Sequence, residues 1–350
     1  MKLYEIVIKP MSGFSTTVKG DTLFGHFCWQ AAYDSSLVNG GLDKWIKCYQ
    51  DRPFAVFSSA WPKLCDNDSF FYALKRPDLP LSFLFPSSSN DKCEALKDLK
   101  ENKKKKWLKV PENLSLDLSA DKFINNSELA DIEVKQLTAE TKREMRGKTL
   151  QNFYLETERQ HNTINRMTGT TGDGMFAPYS EESFLYYPGT ELVIFVLFDE
   201  EATDIDRVLT GIDRIGKTGF GRDASTGCGQ FGIGEWEEKP LPSCGSANAC
   251  YSLAPVVPEK NKFKDMYFTP FVRFGKHGDR LAKSGNPFKN PVVMADEGAV
   301  FMPKENDVFH KPYIGVAVPN TSKIKEHTVV HQGYAFYLPF RLEMKNEKTH

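Results

Sequence analysis

The stretch Gly219-Phe220-Gly221-Arg222-Asp223-Ala224-Ser225-Thr226-Gly227-Cys228-Gly229-Gln230-Phe231 constrains this chain more than any other. It holds four glycines, one arginine and two hydroxyl residues. Before it, Asp204–Ile215 reads as an amphipathic helix, with Ile205, Val208, Leu209, Ile212 and Ile215 on one face. After it, Gln230–Glu237 reads as a strand. Glycine admits positive φ and lets another chain approach closely. Two readings fit: a turn that packs a helix on a sheet, or a cradle of backbone amides, with Arg222, Ser225 and Thr226, for a phosphate or a nucleic-acid backbone.

The 350 residues are long for one core and suggest about two domains. A formal net charge of −1 excludes a basic DNA-coating protein, so any nucleic-acid site must be a local patch. The seven cysteines form no C-x-x-C pair, which argues against zinc, and their odd count fits reduced thiols. No metal or cofactor is expected. Met1–Ile8 is too short and charged for a signal peptide, and the longest apolar run, Leu192–Phe198, is strand-sized. A cytoplasmic protein without membrane contact is expected.

Along the chain, Leu3–Ile8 reads as an opening strand and Thr22–Tyr33 as a helix that Asp21 can cap. Leu42–Tyr49 reads as a second helix, Phe54–Phe57 and Phe70–Leu74 as strands. The lysine-rich Cys93–Leu108 reads as a solvated helix end or loop. Leu114–Lys148 is polar and weakly periodic, and reads as an insertion forming a long hairpin or arm. Phe184–Tyr187 and Glu191–Phe198 read as a strand pair turned by Pro188-Gly189. Strand, helix, glycine loop and strand then fit a ferredoxin-like βαββαβ unit. Pro240–Pro258 reads as a linker, followed by a strand-rich last third with Met266–Phe274, Val292–Met294, Ala299–Met302, Tyr313–Val318 and Tyr334–Met344.

One motif is a decoy. Gly211-Ile212-Asp213-Arg214-Ile215-Gly216-Lys217-Thr218 matches G-x-x-x-x-G-K-[ST], but a phosphate-binding loop needs a strand before it and a helix after it. Here a helix leads in, and Lys217 falls near a helix C-terminus, where the dipole favours a cation.

Two further segments suit RNA. His161–Phe176 mixes Asn162, Asn165, Arg166 and threonines with glycines, groups that contact phosphate, 2′-hydroxyl or base edges; a polar surface loop fits equally. Residues 259–290 hold eight Lys or Arg against three Asp or Glu. Arg273, Lys276, Arg280, Lys283 and Lys289 there sit among Phe271, Phe274 and Phe288, which suits single-stranded nucleic acid, or else a phenylalanine core with solvated lysines. No nucleophile motif appears. His26 is a candidate base for RNA cleavage or a hydrogen-bonded helix histidine, and His161 a candidate RNA contact.

Together these segments resemble one family. Lys19-Gly20-Asp21-Thr22-Leu23-Phe24-Gly25-His26-Phe27-Cys28-Trp29 resembles the first-helix signature of the RAMP superfamily of CRISPR proteins. His161–Phe176 resembles its N-x-I-x-R-x-T-G motif, and Gly219–Phe231 its glycine-rich loop. Gly285–Lys289 with Glu297–Phe301 resembles the C-terminal half of the type III-A (Csm) subunit that caps the 5′ end of the crRNA. The matches keep the family's order over nearly the whole chain.

The resemblance implies an α+β fold of two ferredoxin-like (RRM-like) domains in tandem with an inserted β-hairpin thumb. The domains would be 1–239, with an insertion at about 90–160 that includes the thumb, and 240–350. It implies a non-catalytic subunit gripping the repeat-derived 5′ handle, touching the guide–target duplex, and bridging the large polymerase/cyclase-like subunit to a backbone RAMP subunit. The alternative is a metal-independent endoribonuclease that processes repeat RNA. The expected RNA contacts are Lys19, Arg143, Arg146, His161, Asn162, Asn165, Arg166, Lys217, Gly219, Phe220, Gly221, Arg222, Ser225, Thr226 and Gly227. Cys228 departs from the pattern where a lysine would make the loop more basic. The aromatic signature of ordinary RRMs is absent, so the glycine loop would replace stacking on the sheet.

Overall fold

The computed structural model describes residues 1–86, 91–144, 151–324 and 328–343. The chain begins β1 (Lys2–Pro10), α1 (Gly20–Tyr33), α2 (Leu42–Cys48), β2 (Ala55–Phe57), β3 (Trp61–Asp66), β4 (Ser69–Lys75) and α3 (Leu81–Leu84). It continues α4 (Lys92–Lys104), β5 (Lys105–Pro111), β6 (Phe123–Asn125), α5 (Asn126–Gln136), α6 (Ala139–Glu144), β7 (Tyr154–His161) and β8 (Tyr179–Tyr186). Next come β9 (Leu192–Phe198), α7 (Ile205–Thr218), β10 (Phe231–Lys239), β11 (Ala249–Ser252), β12 (Phe263–Tyr267) and β13 (Pro270–Arg273). The last strands are β14 (Val292–Ala295), β15 (Val300–Pro303), β16 (Tyr313–Gly315), β17 (Val318–Pro319), β18 (Val330–His331) and β19 (Tyr334–Phe340).

The main antiparallel sheet has the order β10-β1-β9-β3-β4-β5-β6, with β2 also on β9. A second sheet has the order β12-β15-β11-β19-β16. β9, Leu-Val-Ile-Phe-Val-Leu-Phe, is buried at every residue. Strands covered on both faces read as unbroken apolar runs. Helices α1 and α7 cover the main sheet, and Phe336 of β19 meets Phe195 of β9 at 5.9 Å between ring centroids.

The decoy glycines have a packing role. A Cβ on Gly211 would lie 2.5 Å from the Phe27 ring of α1, and one on Gly216 would overlap the Phe231 carbonyl oxygen. The two glycines let α7 press against α1 and β10. Asp204 caps α7, accepting from the Arg207 amide at 3.0 Å.

Four sequence expectations are corrected. β8 does not pair with β9: it pairs along all eight residues with β7, from Tyr154↔Tyr186 to His161↔Tyr179. β9, apolar on both faces, takes the sheet centre between β1 and β3. The expected linker contains β11, a wholly buried core strand whose flanking prolines disguise it. The expected hairpin at Leu114–Lys148 is instead β6, α5 and α6 as far as Glu144, and the hairpin is β7–β8. Asp21 caps nothing: it is buried within α1 against Arg273.

α5 carries a titrating strut. Glu133 is buried, and its carboxyl accepts from the Thr190 hydroxyl at 2.6 Å. Burial pushes it up from 4.5 to about 7; Thr190 opposes the shift and the charge of Glu191 adds to it. The folded state therefore holds a proton that the unfolded chain loses first. Stability contributed by this site is full below about pH 4.5 and declines as pH rises towards 7. Glu133→Gln keeps the acceptor and removes the charge. It should stabilise the protein at pH 8, by about 3 kcal/mol at most, and hardly at pH 5. Equal melting shifts at the two pH values would refute this.

Candidate nucleic-acid interface

The glycine loop leaves α7 at Gly219, whose φ of +96° and N–H bond to the Ile215 carbonyl end the helix. Its amides then hold the loop itself together. Phe220 donates to Gly229 at 2.9 Å, Cys228 to Asp223 at 3.2 Å, and Gly229 to Gly13 at 2.7 Å. Thr226 and Gly227 donate to Asp223 and Ala224. The Gly221 amide donates to His26 Nε2 at 3.3 Å, the Arg222 amide to Thr16 Oγ1 at 3.1 Å, and the Gln230 amide to Ser12 Oγ at 2.9 Å. Between Gly219 and Gln230, the amides of Asp223–Ser225 lie outside this set. The glycines thus build a rigid loop rather than an open amide cradle.

Its exposed side chains are a separate matter. Arg222 is 56 % exposed at the side chain; its guanidinium donates to Asp223 at 3.0 Å and to the Glu182 carbonyl of β8 at 3.3 Å. This arginine joins the loop to the root of the hairpin. Ser225 and Thr226 are exposed beside it, the Thr226 hydroxyl donating to the Asp223 carbonyl. Gly227, at φ +93°, faces open space.

The hairpin docks on the core through Phe14 and Phe184, which exchange backbone hydrogen bonds at 2.8 and 2.9 Å. Its arms carry Glu156, Glu158, Glu181 and Glu182 against one cation, Arg159, so a phosphate chain is repelled along them. Beyond the arms, Asn162 and Arg166 are exposed, and Met167 is 94 % exposed. Asn165 shapes a tight turn there, its side chain accepting from the Met167 amide at 2.9 Å. His161 lies flat on Tyr179, with centroids 5.3 Å apart and Glu181 at 3.3 Å.

Several expected contacts are displaced. Lys19 is buried, its ammonium bridging Asp296 and Glu297, the latter at 2.7 Å, above the Phe271 ring. It ties the start of α1 to the β14–β15 turn and is closed to RNA. Phe220 is fully buried, packed on the His26 ring at 5.0 Å. Lys217 is exposed but paired with Asp213 at 2.6 Å, one helical turn back. Arg143 is exposed on α6, and Arg146 lies outside the described residues. Burial lowers the His26 pKa to about 4, so at neutral pH its imidazole is uncharged and accepts from the loop. In the basic C-terminal stretch, Arg273 is bound bidentately by Asp21, whereas Phe274 and Phe288 are 76 % and 59 % exposed and Lys276 lies over Phe288. The phenylalanines there are not a core. Ser12 and Thr16, which hold the loop, carried no motif signal at all.

Among the described residues no group of His, Cys, Asp or Glu is placed to hold a metal ion, and no helix is long and apolar enough to cross a membrane.

No family model matches the chain, and neither does any curated protein. Solved structures match it end to end. A chain of the Csm3-Csm4 subcomplex of the type III-A CRISPR-Cas interference complex aligns at TM-score 0.54 and 16% identity, over 97% of this chain and 100% of that one. Chains of the Csm1-Csm4 cassette with cA4 and with pppApA align at TM-scores 0.52 and 0.51 and 16% identity, each over 98% of this chain and 99% of the other. At this identity the likeness is one of fold: from end to end the chain folds like chains of the Csm1-Csm4 and Csm3-Csm4 structures.

Proposed function

We propose that this chain is a non-catalytic crRNA-binding subunit of a type III-A effector complex. It grips the repeat-derived 5′ handle and bridges a large polymerase/cyclase-like subunit and a backbone RAMP subunit. The observation that carries the reading is the placement of Arg222, an exposed guanidinium fixed where the glycine loop meets the hairpin, in a chain folded throughout like Csm4. Structures of Csm4 with Csm1 and with Csm3 support the two protein partners. Ser225 and Thr226 add hydroxyls beside Arg222. Asn162, Asn165 and Arg166 supply the second contact, beyond the acidic arms. The role of His26 as a prop of the loop argues against its use as a cleaving base.

Arg222→Ala should weaken binding of a synthetic 5′ handle and reduce the slope of log affinity against log salt by about one. RNA recovered from the titration should be intact with chelator present. An unchanged salt slope removes Arg222 from the interface. Site-specific cleavage abolished by His26→Ala would overturn the non-catalytic reading.

A further inference from the structure

Beneath the hairpin root lies a cavity of about 170 Å³ walled by Trp61, Trp107, Phe153, Tyr154, Phe184 and Tyr186. Five of these rings are in continuous contact: Trp107 meets Phe153 at 5.3 Å, Phe153 meets Tyr154 at 5.0 Å and Tyr186 at 5.9 Å, and Tyr154 meets Phe184 at 5.7 Å. One edge is polar, made by Glu297 and Ser59, whose hydroxyl donates to the Glu297 carboxyl at 3.3 Å. Thr17 is exposed and forms part of the lining. Its neighbour Thr16 accepts from the Arg222 amide, and Phe184 lies two residues from the carbonyl that Arg222 holds. The cavity is therefore a near neighbour of the glycine loop.

We infer that this cavity receives a single unstacked nucleobase, one that presents an exocyclic amine to Glu297. The inference rests on the RNA-binding reading above and extends it to base selection. An aromatic box of this kind suits either a cation or a flat ring. Charge decides between them. The Asp296 and Glu297 carboxylates already face two ammonium groups: Lys19, which contacts both, and Lys75, 3.8 Å from Asp296. Lys75 is shared with Asp78 at 3.4 Å, but Lys19 already contacts both carboxyls, so a guest cation would have to compete with it as well as lose its own hydration. A neutral base loses little hydration, stacks on the rings, and donates its amine to the carboxyl as cytosine does to acidic side chains. Adenine, cytosine and guanine carry such an amine. Uracil offers a carbonyl there, which faces the Glu297 oxygens unfavourably.

The test uses the full chain with fluorescein-labelled A8, C8 and U8 RNA, read by anisotropy at several salt concentrations. A8 and C8 should bind about 5- to 10-fold more tightly than U8. Two variants probe the cavity: Tyr154→Ala removes a stacking wall, and Thr17→Tyr adds bulk at an exposed position, where folding is spared. Each should abolish the preference and leave U8 affinity within about two-fold, whereas Arg222→Ala should weaken all three RNAs equally. If RNA binds and responds to Arg222→Ala, but the preference is absent or survives Thr17→Tyr, the cavity inference falls and the RNA-binding reading stands. If no RNA binds even at low salt, both fall.

Discussion

Replacing Asp21 by alanine is expected to cost about 3–5 kcal/mol and to lower Tm by roughly 5–10 °C. Its carboxylate is fully buried and takes two hydrogen bonds from Arg273, at 2.6 and 2.9 Å, with His331 Nε2 at 3.3 Å. Burial alone would raise its pKa. The close contact with His331 and the charge of Arg273 outweigh burial and hold the carboxyl well below the usual carboxylate range. Removing it leaves an arginine that is only 18 % exposed without its counter-charge. The sign of the pH dependence follows from the depressed pKa. The stabilisation is fully present above the unfolded carboxyl's value near 4, and is lost as pH falls towards the folded value. A thermal melt at pH 7 checks the magnitude, and a double-mutant cycle with Arg273→Ala checks the cause. Strict additivity would mean that the pair is not coupled. Since Asp21 lies in α1, Arg273 in β13 and His331 in β18, the cycle also measures how firmly the first helix is tied to the C-terminal strands.

The second large effect is expected at Gly229. Its φ is +74°, and a Cβ there would overlap the Phe220 carbonyl oxygen and lie 2.5 Å from the Phe220 nitrogen. Alanine would carry the left-handed backbone cost of about 1–2 kcal/mol and would also force apart the Phe220–Gly229 bond that closes the loop. A total on the order of 3 kcal/mol follows, together with loss of handle binding, because Arg222 is aimed by that closure. Gly227→Ala is the control: its φ is +93° but its surroundings are open, so only the backbone cost applies. Melting curves, with limited proteolysis between Gly219 and Phe231, separate the two. Equal damage from both substitutions would show that backbone conformation, not closure, governs the loop.

Local periodicity made much of the framework legible. The α7 stripe announced a covered helix and the unbroken apolar run of β9 a strand, though not its partners or its place in the sheet. What stayed hidden depended on partners distant in sequence. Lys19 and Asp21 read as a surface cation and a cap because Glu297 and Arg273, which bury them, are far along the chain. Gly221 was expected to contact RNA, but its amide serves His26, as the Gly229 amide of the same loop serves Gly13. The strand β11 was hidden by the prolines on either side of it, Pro240, Pro242, Pro255 and Pro258, which are loop signals locally. Arg222 read as an exposed cation and is one, but its bond to the Glu182 carbonyl, forty residues away, was not legible locally.

The place of β1 inside the main sheet, between β10 and β9, has a consequence for synthesis. Both of its neighbours, β9 and β10, come much later in the chain, and Leu192 follows Pro10 by 182 positions. At ordinary translation speeds of about 5–20 residues per second, β1 leaves the ribosome roughly 10–40 s before either of these partners. Its largely apolar stretch, Leu3–Ile8, buried at every residue in the finished sheet, stays without either neighbour for that interval.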